Sequence, residues 1–218
     1  MKIYWHDVLD STNSEVRRHL DELDNLSVTA AVEQTAGRGR GGHRWASEPG
    51  ENLTFSVLFR FGSPELAELD VKDALLITQA VTVALVDFFE SEGLSPRIKW
   101  PNDIWIGDRK ICGILIENTV DGGKISASIA GIGINLNQTA FDPALPNPCS
   151  LSALTGRKYD VKDSLERFCT CLERSCGKMN DAAGRNELAS RFAEKMFYLE
   201  KDRAEAMEAA IARYESLR

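Results

Sequence analysis

The segment from Val71 to Glu92 constrains the fold more than any other part of the chain. It is apolar on nearly every face in its middle, and a helix without a polar face needs other elements packed around it. Its most apolar stretch, Ala74 to Phe89, contains three uncharged polar residues and Asp87, so it does not resemble a membrane span. We therefore predict a long central helix that is buried against a sheet.

Segments with strand character lie on both sides of this helix. The clearest is 52–61, in which side chains alternate in polarity. The last two strands are joined by the turn at 121–123 and form a hairpin. The predicted strands are 2–8, 27–34, 52–61, 97–100, 103–106, 110–118 and 124–135. A sheet of about five to seven strands is typical for this size class.

Helical patterns complete the prediction. A first helix runs from Ser11 or Thr12 to about Leu23, with Glu15 three residues after Thr12 as in a capping box. A Pro- and Asn-rich loop is predicted at 137–148, and the further predicted helices are 161–176, 186–199 and 202–217. We predict an α+β fold with a mixed, largely antiparallel sheet flanked by helices and a helical C-terminal segment.

Composition narrows the function classes. The 218 residues carry a net charge of −7, which argues against a general basic face for nucleic acid. The first residues lack the basic flank and apolar run of a signal peptide, so we expect a cytoplasmic location. Five cysteines occur without a C-x-x-C pair, accompanied by three histidines. This pattern favours reduced, packed thiols over a zinc site or disulfides.

The glycine- and arginine-rich loop from Thr35 to Pro49 is the first candidate for chemistry. Gly37 to Gly42 satisfies G-x-G-x-x-G, but a strand follows rather than the helix that a dinucleotide site requires. Glycines let backbone N–H groups approach an anion, and Arg38 and Arg40 can bind carboxylate or phosphate in bidentate fashion. The nearby Trp45 offers a flat face for a purine. The alternative interpretation is a solvated flexible loop.

Three further segments combine polar groups with apolar strands. Lys99 to Asp103 ends a strand with a cation, an aromatic ring and two oxygen-bearing side chains. Lys110 opens an apolar strand and can reach the mouth of a pocket, although such a lysine is more often a solvated strand end. Gly131 and Gly133 expose strand backbone before Asn135, although a strand glycine more often marks a bulge.

Together these segments resemble the catalytic domain of the biotin protein ligase family. The motifs occur in the family's order: Asp10-Ser11-Thr12-Asn13, Gln34-Thr35-Ala36-Gly37-Arg38-Gly39-Arg40, Trp45, Lys99-Trp100-Pro101-Asn102-Asp103, Lys110-x-x-Gly113-Ile114-Leu115-Ile116-Glu117 and Gly131-Ile132-Gly133-Ile134-Asn135. Several spaced motifs in one order are far more specific than any single motif. The resemblance covers residues 1–176 and implies the fold that biotin ligases share with class II aminoacyl-tRNA synthetases.

The resemblance implies a role for each matching residue. The biotin-binding set would be Ser11, Thr12, Asn13, Gln34, Gly37, Arg38, Gly39, Arg40, Lys110 and Gly113, with Ser11, Thr12 and Gln34 at the ureido ring. The nucleotide-binding set would be Arg38, Arg40, Trp45, Asn102, Asp103, Lys110 and Asn135, with Trp45 stacked on adenine and Asn135 at its edge. The catalytic groups would be Lys110, Arg38 and Arg40.

The implied enzyme is a biotin–[acetyl-CoA-carboxylase] ligase. Such an enzyme activates biotin with ATP to biotinyl-5'-AMP and transfers biotin to a lysine of a carrier protein. A carboxylate must approach the α-phosphate of ATP, so cations are needed, and Mg²⁺ would be held mainly by the phosphates. The implied acceptor is the biotin carboxyl carrier protein of acetyl-CoA carboxylase. Neither DNA nor a membrane is an expected partner, and a homodimer stays open.

Two departures from the family pattern bear on these expectations. The family often has an arginine where His43 stands, so retention of the reaction intermediate can differ. The SH3-like domain that commonly follows the catalytic domain is expected to be absent, because residues 177–218 have a helical pattern. An N-terminal helix-turn-helix is not expected either, and neither is repressor function.

Two other functions stay open. Lipoate or octanoate ligases and transferases share the fold and the lysine, but they usually carry an R-R-x-x-G-G-G loop in place of Gly-Arg-Gly-Arg. A biotin-binding module without ligase activity is the non-enzyme alternative. The presence of Arg38, Arg40 and Lys110 disfavours that alternative.

Overall fold

The structure, a computed structural model, describes residues 1–197. Within that range the chain forms one nine-stranded sheet and five α-helices. The strands are β1 (Ile3–Leu9), β2 (Val28–Gln34), β3 (Leu53–Arg60), β4 (Leu69–Asp70), β5 (Pro96–Lys99), β6 (Asp103–Ile106), β7 (Arg109–Asp121), β8 (Lys124–Ile134) and β9 (Met196–Phe197). The helices are α1 (Thr12–Arg18), α2 (Leu75–Ser91), α3 (Leu151–Thr155), α4 (Val161–Lys178) and α5 (Ala182–Lys195).

The sheet is mixed and largely antiparallel, as predicted. Its strands lie in the order β1-β2-β3-β8-β7-β6-β5-β9, and β4 pairs with β8 beside this path. The β1–β2 and β5–β9 pairs are parallel and the other pairs are antiparallel. All seven predicted strands are present. The two additional strands, β4 and β9, escape prediction because two residues cannot carry an alternating pattern.

Helix α2 lies at the centre of the core, which confirms the prediction of a buried central helix. Eleven of its 17 residues are buried, and it contacts α4, α5, β5 and β6. The rings of Phe88 in α2 and Phe168 in α4 meet edge to face at 6.2 Å. By length and composition Val71–Ser91 is apolar enough to cross a membrane, but 61% of its most apolar window is buried within this fold. Core helices of globular proteins have the same character.

Strand β3 separates two faces of the sheet. Its odd-numbered residues from 53 to 59 point into the core that contains α2, whereas Leu58 packs in a smaller cluster with Val16 of α1. Because side chains alternate along a strand, Thr54 and Ser56 share the α1 face with Leu58. The register places two glycines of β8 opposite them, Gly133 and Gly131. A polar strip and a glycine strip therefore run side by side on the α1 face.

The first helix differs from its prediction. α1 ends at Arg18 rather than near Leu23. Its first turn contains no capping box, because the Glu15 carboxylate accepts hydrogen bonds from Arg18 instead. The Ser11 carbonyl accepts the Glu15 N–H at 3.0 Å, and the Gln34 side chain accepts the N–H of Thr12, the first residue of the helix.

From Leu151 onward the described chain is helical, apart from the short strand β9. The 137–148 loop and the α4 helix agree with the sequence pattern. α3 was not predicted, because five residues are too few to show a helical period. α5 begins four residues before its predicted start. The predicted helix 202–217 lies outside the described residues, and the division at residue 176 stays a prediction.

The cysteines are free thiols in buried positions, as predicted. Burial raises the pKa of Cys112 well above its usual value. It raises the pKa of Cys149 to about 11 and that of Cys169 and Cys176 to about 12. A thiol reacts as its thiolate, so these groups act as small apolar side chains.

Candidate active site

A pocket lies on the α1 face, where the N-terminus of α1 meets the middle of β7 and β8. Its wall comes from the β1–α1 turn and the end of β2, its floor from β7 and β8, and its rim from the glycine-arginine loop, residues 35–49. The lining residues are Ser11, Thr12, Asn13, Gln34, Arg38, Gly39, Trp45, Lys110, Gly113, Ile114, Leu115, Gly131, Ile132 and Gly133. The structure thus brings together the first nine of these, all of which were predicted as site residues.

Hydrogen bonds fix the wall of the pocket. Gln34 Oε1 accepts from the Thr12 N–H at 2.8 Å and lies 3.2 Å from the Thr12 hydroxyl. Ser56 Oγ lies 2.7 Å from Thr12 Oγ1 and 2.5 Å from Asn13 Oδ1. Within residues 1–197, Ser11 Oγ and Gln34 Nε2 make no hydrogen bond. Both polar atoms are therefore left for a ligand.

Asp10 holds the turn that carries Ser11 into the pocket. Its carboxylate accepts two hydrogen bonds from Arg18, at 2.7 and 2.9 Å, and one from the Ser11 N–H at 2.7 Å. The Arg18 guanidinium, with the Ser11 N–H as the second cause, keeps the pKa of Asp10 well below its usual range. The carboxylate is therefore charged at neutral pH, and the turn keeps its anchor there.

The glycines of β7 and β8 form a floor that other residues would fill. A Cβ at Gly131 would lie 2.3 Å from Asn13 Oδ1. A Cβ at Gly133 would lie 2.2 Å from the indole of Trp45, and one at Gly113 would lie 2.8 Å from the same ring. These glycines serve close approach, not the bulge that a strand glycine more often marks.

Trp45 covers this floor. Its indole lies over Gly113 and Gly133, and Lys110 Nζ is 5.8 Å from the ring centroid. Its Nε1 is buried without a hydrogen-bond acceptor in the described part of the chain. With the ring in this place, the cavity measures about 50 Å³, enough for one or two water molecules. A larger ligand needs the indole to move, and the adenine-stacking role of Trp45 stays a prediction.

Lys110 lines the pocket and faces a carboxylate. Its Nζ lies 2.8 Å from Asp103 Oδ1. The alignment is not that of a hydrogen bond, so Asp103 Oδ1 is buried without a donor among residues 1–197. Asn102 Nδ2 donates to the Ile114 carbonyl at 2.8 Å, and its Oδ1 lies 3.4 Å from Arg40 Nη1. Asn102 and Asp103 thus contact predicted cations of the site without lining the pocket.

The glycine-arginine loop turns back on itself above a second cleft. The Gly39 N–H donates to the His43 carbonyl at 2.7 Å. Gly41 and Gly42 between them have φ of 62° and 82°, a conformation that favours glycine. Strand β3 follows the loop, so the rejected dinucleotide motif is indeed without its helix. The second cleft is lined by residues 36–44 with Leu115 and Glu117.

In addition to Asn102 and Asp103, three further predicted residues do not line the pocket. Gly37 and Arg40 line the second cleft only. Asn135 is 5% exposed, and its Nδ2 donates to the Cys149 carbonyl at 3.0 Å. Asn135 lines neither cleft, and its proposed contact with the adenine edge stays a prediction.

Two residues of the site were missed from the sequence. Ser56 holds the wall, and Glu117 was part of a quoted motif without a role. The Glu117 carboxylate accepts from Asn13 Nδ2 at 2.8 Å and pairs with Arg38 at 3.0 Å and Arg17 at 3.1 Å. Ser56 interrupts the apolar residues of β3, and Glu117 directly follows the apolar run 114–116 of β7, both on the face that carries the site. That pattern is the signal that could have found them.

Known proteins resemble this chain in sequence and in fold. The family model described as biotin/lipoate A/B protein ligase matches residues 5–135. The chain is 32% identical over 173 residues to the biotin–[acetyl-CoA-carboxylase] ligase of Paracoccus denitrificans, covering 76% of this chain and 69% of that protein. It is 32% identical over 184 residues to the bifunctional ligase/repressor BirA of Bacillus subtilis, covering 79% of this chain. It spans only about half of that relative's length, 53%.

Solved structures agree with the sequence relatives. The biotin protein ligase of Aquifex aeolicus in complex with biotin and ATP superposes with a TM-score of 0.75 at 26% identity, covering 91% of this chain and 79% of that one. The biotin protein ligase of Leishmania major in complex with biotinyl-5-AMP gives 0.72 at 22% identity, covering 90% of this chain and 81% of that one, which shows the shared fold. The chain therefore belongs to the biotin/lipoate A/B protein ligase family, with a catalytic domain of the biotin protein ligase type.

Proposed function

We propose that this chain is an ATP-dependent biotin–protein ligase. It would activate biotin to biotinyl-5'-AMP and transfer the biotinyl group to a lysine of a biotin carboxyl carrier protein. The observation that carries the proposal is the meeting, over one glycine floor, of an uncharged hydrogen-bonding wall with Arg38 and Lys110. One end of the pocket suits a neutral polar ring and the other suits an anion.

The wall suits the ureido ring of biotin. That ring presents one carbonyl acceptor and two N–H donors, so it needs both donors and acceptors around it. Ser11 Oγ can do either, and Gln34 Nε2 can donate. Because Gly113 and Gly133 carry no side chain, the bicyclic ring system of biotin could lie close to the backbone of β7 and β8 once the indole is displaced. The indole of Trp45 would have to lift for the ring to enter.

The cations suit the reaction. The biotin carboxylate attacks the α-phosphate of ATP, the bond to pyrophosphate breaks, and pyrophosphate leaves. Arg38, Arg40 and Lys110 would offset the repulsion between carboxylate and phosphate and the charge that develops between them. In the second step the amine of the acceptor lysine attacks the biotinyl carbonyl and AMP leaves. The glycine-arginine loop would keep water from the mixed anhydride in the interval.

A magnesium ion fits the site in a limited way. When bound with ATP, Mg²⁺ neutralises phosphate charge and helps pyrophosphate leave. Among residues 1–197, no group of three His, Cys, Asp or Glu side chains could hold a metal. Asp103 Oδ1 is a buried carboxylate oxygen, a ligand type that Mg²⁺ prefers, but Lys110 Nζ already lies 2.8 Å from it. We infer an ion held mainly by the phosphates.

Relatives support the substrates proposed here. The Aquifex aeolicus structure is described as a complex with biotin and ATP, and the Paracoccus denitrificans relative is named a biotin–[acetyl-CoA-carboxylase] ligase. The acceptor proposed for this chain is therefore the carrier protein of acetyl-CoA carboxylase. The family description includes lipoate ligases, so octanoate and lipoate are the competing substrates.

A direct assay tests the proposal. The purified protein is mixed with ATP, Mg²⁺ and either biotin, lipoate or octanoate, and pyrophosphate release and the mass of the bound acyl-adenylate are measured. A biotin carboxyl carrier protein is then added, and its mass is measured. Of the three acids, we expect only biotin to cause pyrophosphate release. We also expect the mass of a biotinyl group to be added to a lysine of the carrier protein. Release with lipoate or octanoate instead would reassign the substrate. Biotin binding without pyrophosphate release would make the chain a binding module.

A further inference from the structure

Glu117 joins the two ends of the site, although it lines only the second cleft. Its carboxylate contacts Asn13 on the wall, Arg38 on the loop and Arg17 on α1, at 2.8, 3.0 and 3.1 Å. Its side chain is 23% exposed, so water screens the charge only in part. Two arginines thus share one carboxylate beside a pocket that we assign to an anionic substrate.

We propose that Glu117 is the counter-ion that Arg38 exchanges for the substrate anion, an inference that rests on the proposed function. Arg38 lines both the pocket and the second cleft. Within the described residues its guanidinium hydrogen-bonds to Glu117 alone. A carboxylate of the substrate would take over donors that Glu117 now holds. Glu117 would act through Arg38 without touching the reacting atoms, so it is a positioning residue.

The proposed exchange predicts whether removal of the Glu117 charge strengthens or weakens anion binding. Glu117 competes with the substrate carboxylate for one guanidinium, and it also repels that carboxylate. Removing its charge should therefore strengthen anion binding, whereas removal of an ordinary structural residue weakens binding. Partly exposed ion pairs have modest energies, so the expected change is about two- to fivefold in Kd.

Arg17 should have the opposite effect through the same carboxylate. It is 59% exposed and pairs with Glu117 in the structure. Without Arg17, Glu117 has one cation fewer and holds Arg38 more strongly. Arg17→Gln should therefore weaken anion binding, and only while Glu117 is charged. A double-mutant cycle separates this coupling from the general loss of one positive charge.

The contact with Asn13 offers the competing explanation. Asn13 Oδ1 lies against Gly131 and Ser56, so an effect on Asn13 would change binding of the neutral ring. In Glu117→Gln the amide oxygen can still accept from Asn13 Nδ2. The glutamine variant therefore removes the charge and keeps the wall. A neutral ligand, biotinamide, then shows whether the wall has changed.

The experiment measures Kd for biotin and for biotinamide by calorimetry at low and high salt. The proteins are wild type, Glu117→Gln, Arg17→Gln, the double variant, and Glu68→Gln as a control that removes an exposed carboxylate paired with Lys124. We expect Glu117→Gln to tighten biotin about two- to fivefold, less so in high salt, and to leave biotinamide within about twofold. Arg17→Gln should weaken biotin binding, and most of this loss should vanish in the double variant.

Four outcomes would overturn the proposal. Equal weakening of both ligands by Glu117→Gln would make Glu117 a support for Asn13 only. Unchanged biotin binding in that variant, or an equal shift in the Glu68→Gln control, would show that Glu117 does not compete with the biotin carboxylate for Arg38. Failure of the wild-type protein to bind either ligand would overturn the proposed function as well, which separates the two failures.

Discussion

The glycine floor and the glycine-arginine loop are both rich in glycine, but for different physical reasons. Gly113, Gly131 and Gly133 lie in extended strands, where a Cβ would meet another atom within 3 Å. Gly41 and Gly42 lie in a turn with positive φ, and a Cβ at Gly42 would meet nothing within 4 Å. The floor needs glycine for space, whereas the loop needs it for conformation at Gly41 and Gly42. Gly37, where a Cβ would lie 2.4 Å from the Trp45 carbonyl oxygen, is the place where the loop also needs it for space.

Because of this difference, the floor and the loop have different roles in the site. The floor is held by ladders of β3, β8 and β7, so its shape can change only if the sheet changes. The loop is held by a few backbone bonds and by arginine contacts to Glu117, Asn102 and the Thr35 carbonyl. We infer that the floor determines which ligand shapes fit the pocket, and that the loop supplies positively charged groups whose positions can change.

The largest effect should come from Lys110→Ala. Lys110 belongs to the rigid region, since it leads into the floor strand β7 and its Nζ is fixed beside Asp103. Losing a fixed charge at the reacting centre typically lowers a rate about 10² to 10³-fold. We expect that loss in biotin-dependent pyrophosphate release while the fold is retained, with a lower melting temperature because the Asp103 carboxylate loses its cation. Lys124→Ala, which removes an exposed lysine paired with Glu68, is the matched control. A rate near that of wild type would refute the role of Lys110.

Two alanine substitutions test the proposed difference between the glycines of the floor and those of the loop. Gly131→Ala places a methyl group against Asn13 Oδ1, so the wall must move, and we expect biotin affinity to fall more than about tenfold. Gly42→Ala meets no atom but carries φ of 82°, which costs roughly 1 to 2 kcal/mol locally. We expect it to change biotin affinity only a few-fold. Calorimetric titration of both variants checks this, and equal losses would break the division between floor and loop.

The sequence predicts the floor better than the loop. Alternation and hairpin turns give β3, β7 and β8, since their periodicity follows from burial on one face or both. The register of a ladder then sets Gly131 opposite Ser56, and that register cannot be read from a single strand. For this reason Ser56 was missed although its strand was predicted.

The pairing of charges is the part that the sequence could not give. Arg38 and Glu117 lie 79 residues apart, and only the closed loop brings them together. The resemblance to known ligases assigned Trp45 to adenine, whereas here its indole lies on the glycines. Side chains of long loops have several possible partners, and the choice depends on packing and on the ligand. Asn135 was assigned to the adenine edge from the same resemblance. In the structure its amide donates to the Cys149 carbonyl, and the contact with adenine stays a prediction.

Ligand should order the loop and leave the floor unchanged. The loop carries Arg38, Arg40 and Arg44, which are trypsin sites and are exposed here. An anion that binds these guanidiniums stabilises the closed loop. We expect cleavage within 35–49 to slow several-fold when biotin and ATP are present, whereas cleavage after Lys124 in the floor hairpin should not change. Equal protection at both sites would mean that ligand stabilises the whole fold and not the loop in particular.

The smallest effect, and the sharpest test of loop charge, is expected from Arg40→Gly. Arg40 makes one long contact, 3.4 Å to Asn102, and does not line the pocket. Its loss should spare synthesis of biotinyl-adenylate, because Arg38 and Lys110 remain, and should weaken retention of the intermediate. Released intermediate acylates lysines on unrelated proteins, so labelling of serum albumin should rise about two- to threefold, in keeping with one exposed charge. The family resemblance leads us to expect an arginine where His43 stands, and its absence keeps that rise small. Arg44→Gly, which removes a guanidinium bound only to the Thr35 carbonyl among residues 1–197, is the control. Equal albumin labelling by the two variants would show that Arg40 belongs to a solvated basic loop and has no particular hold on the intermediate.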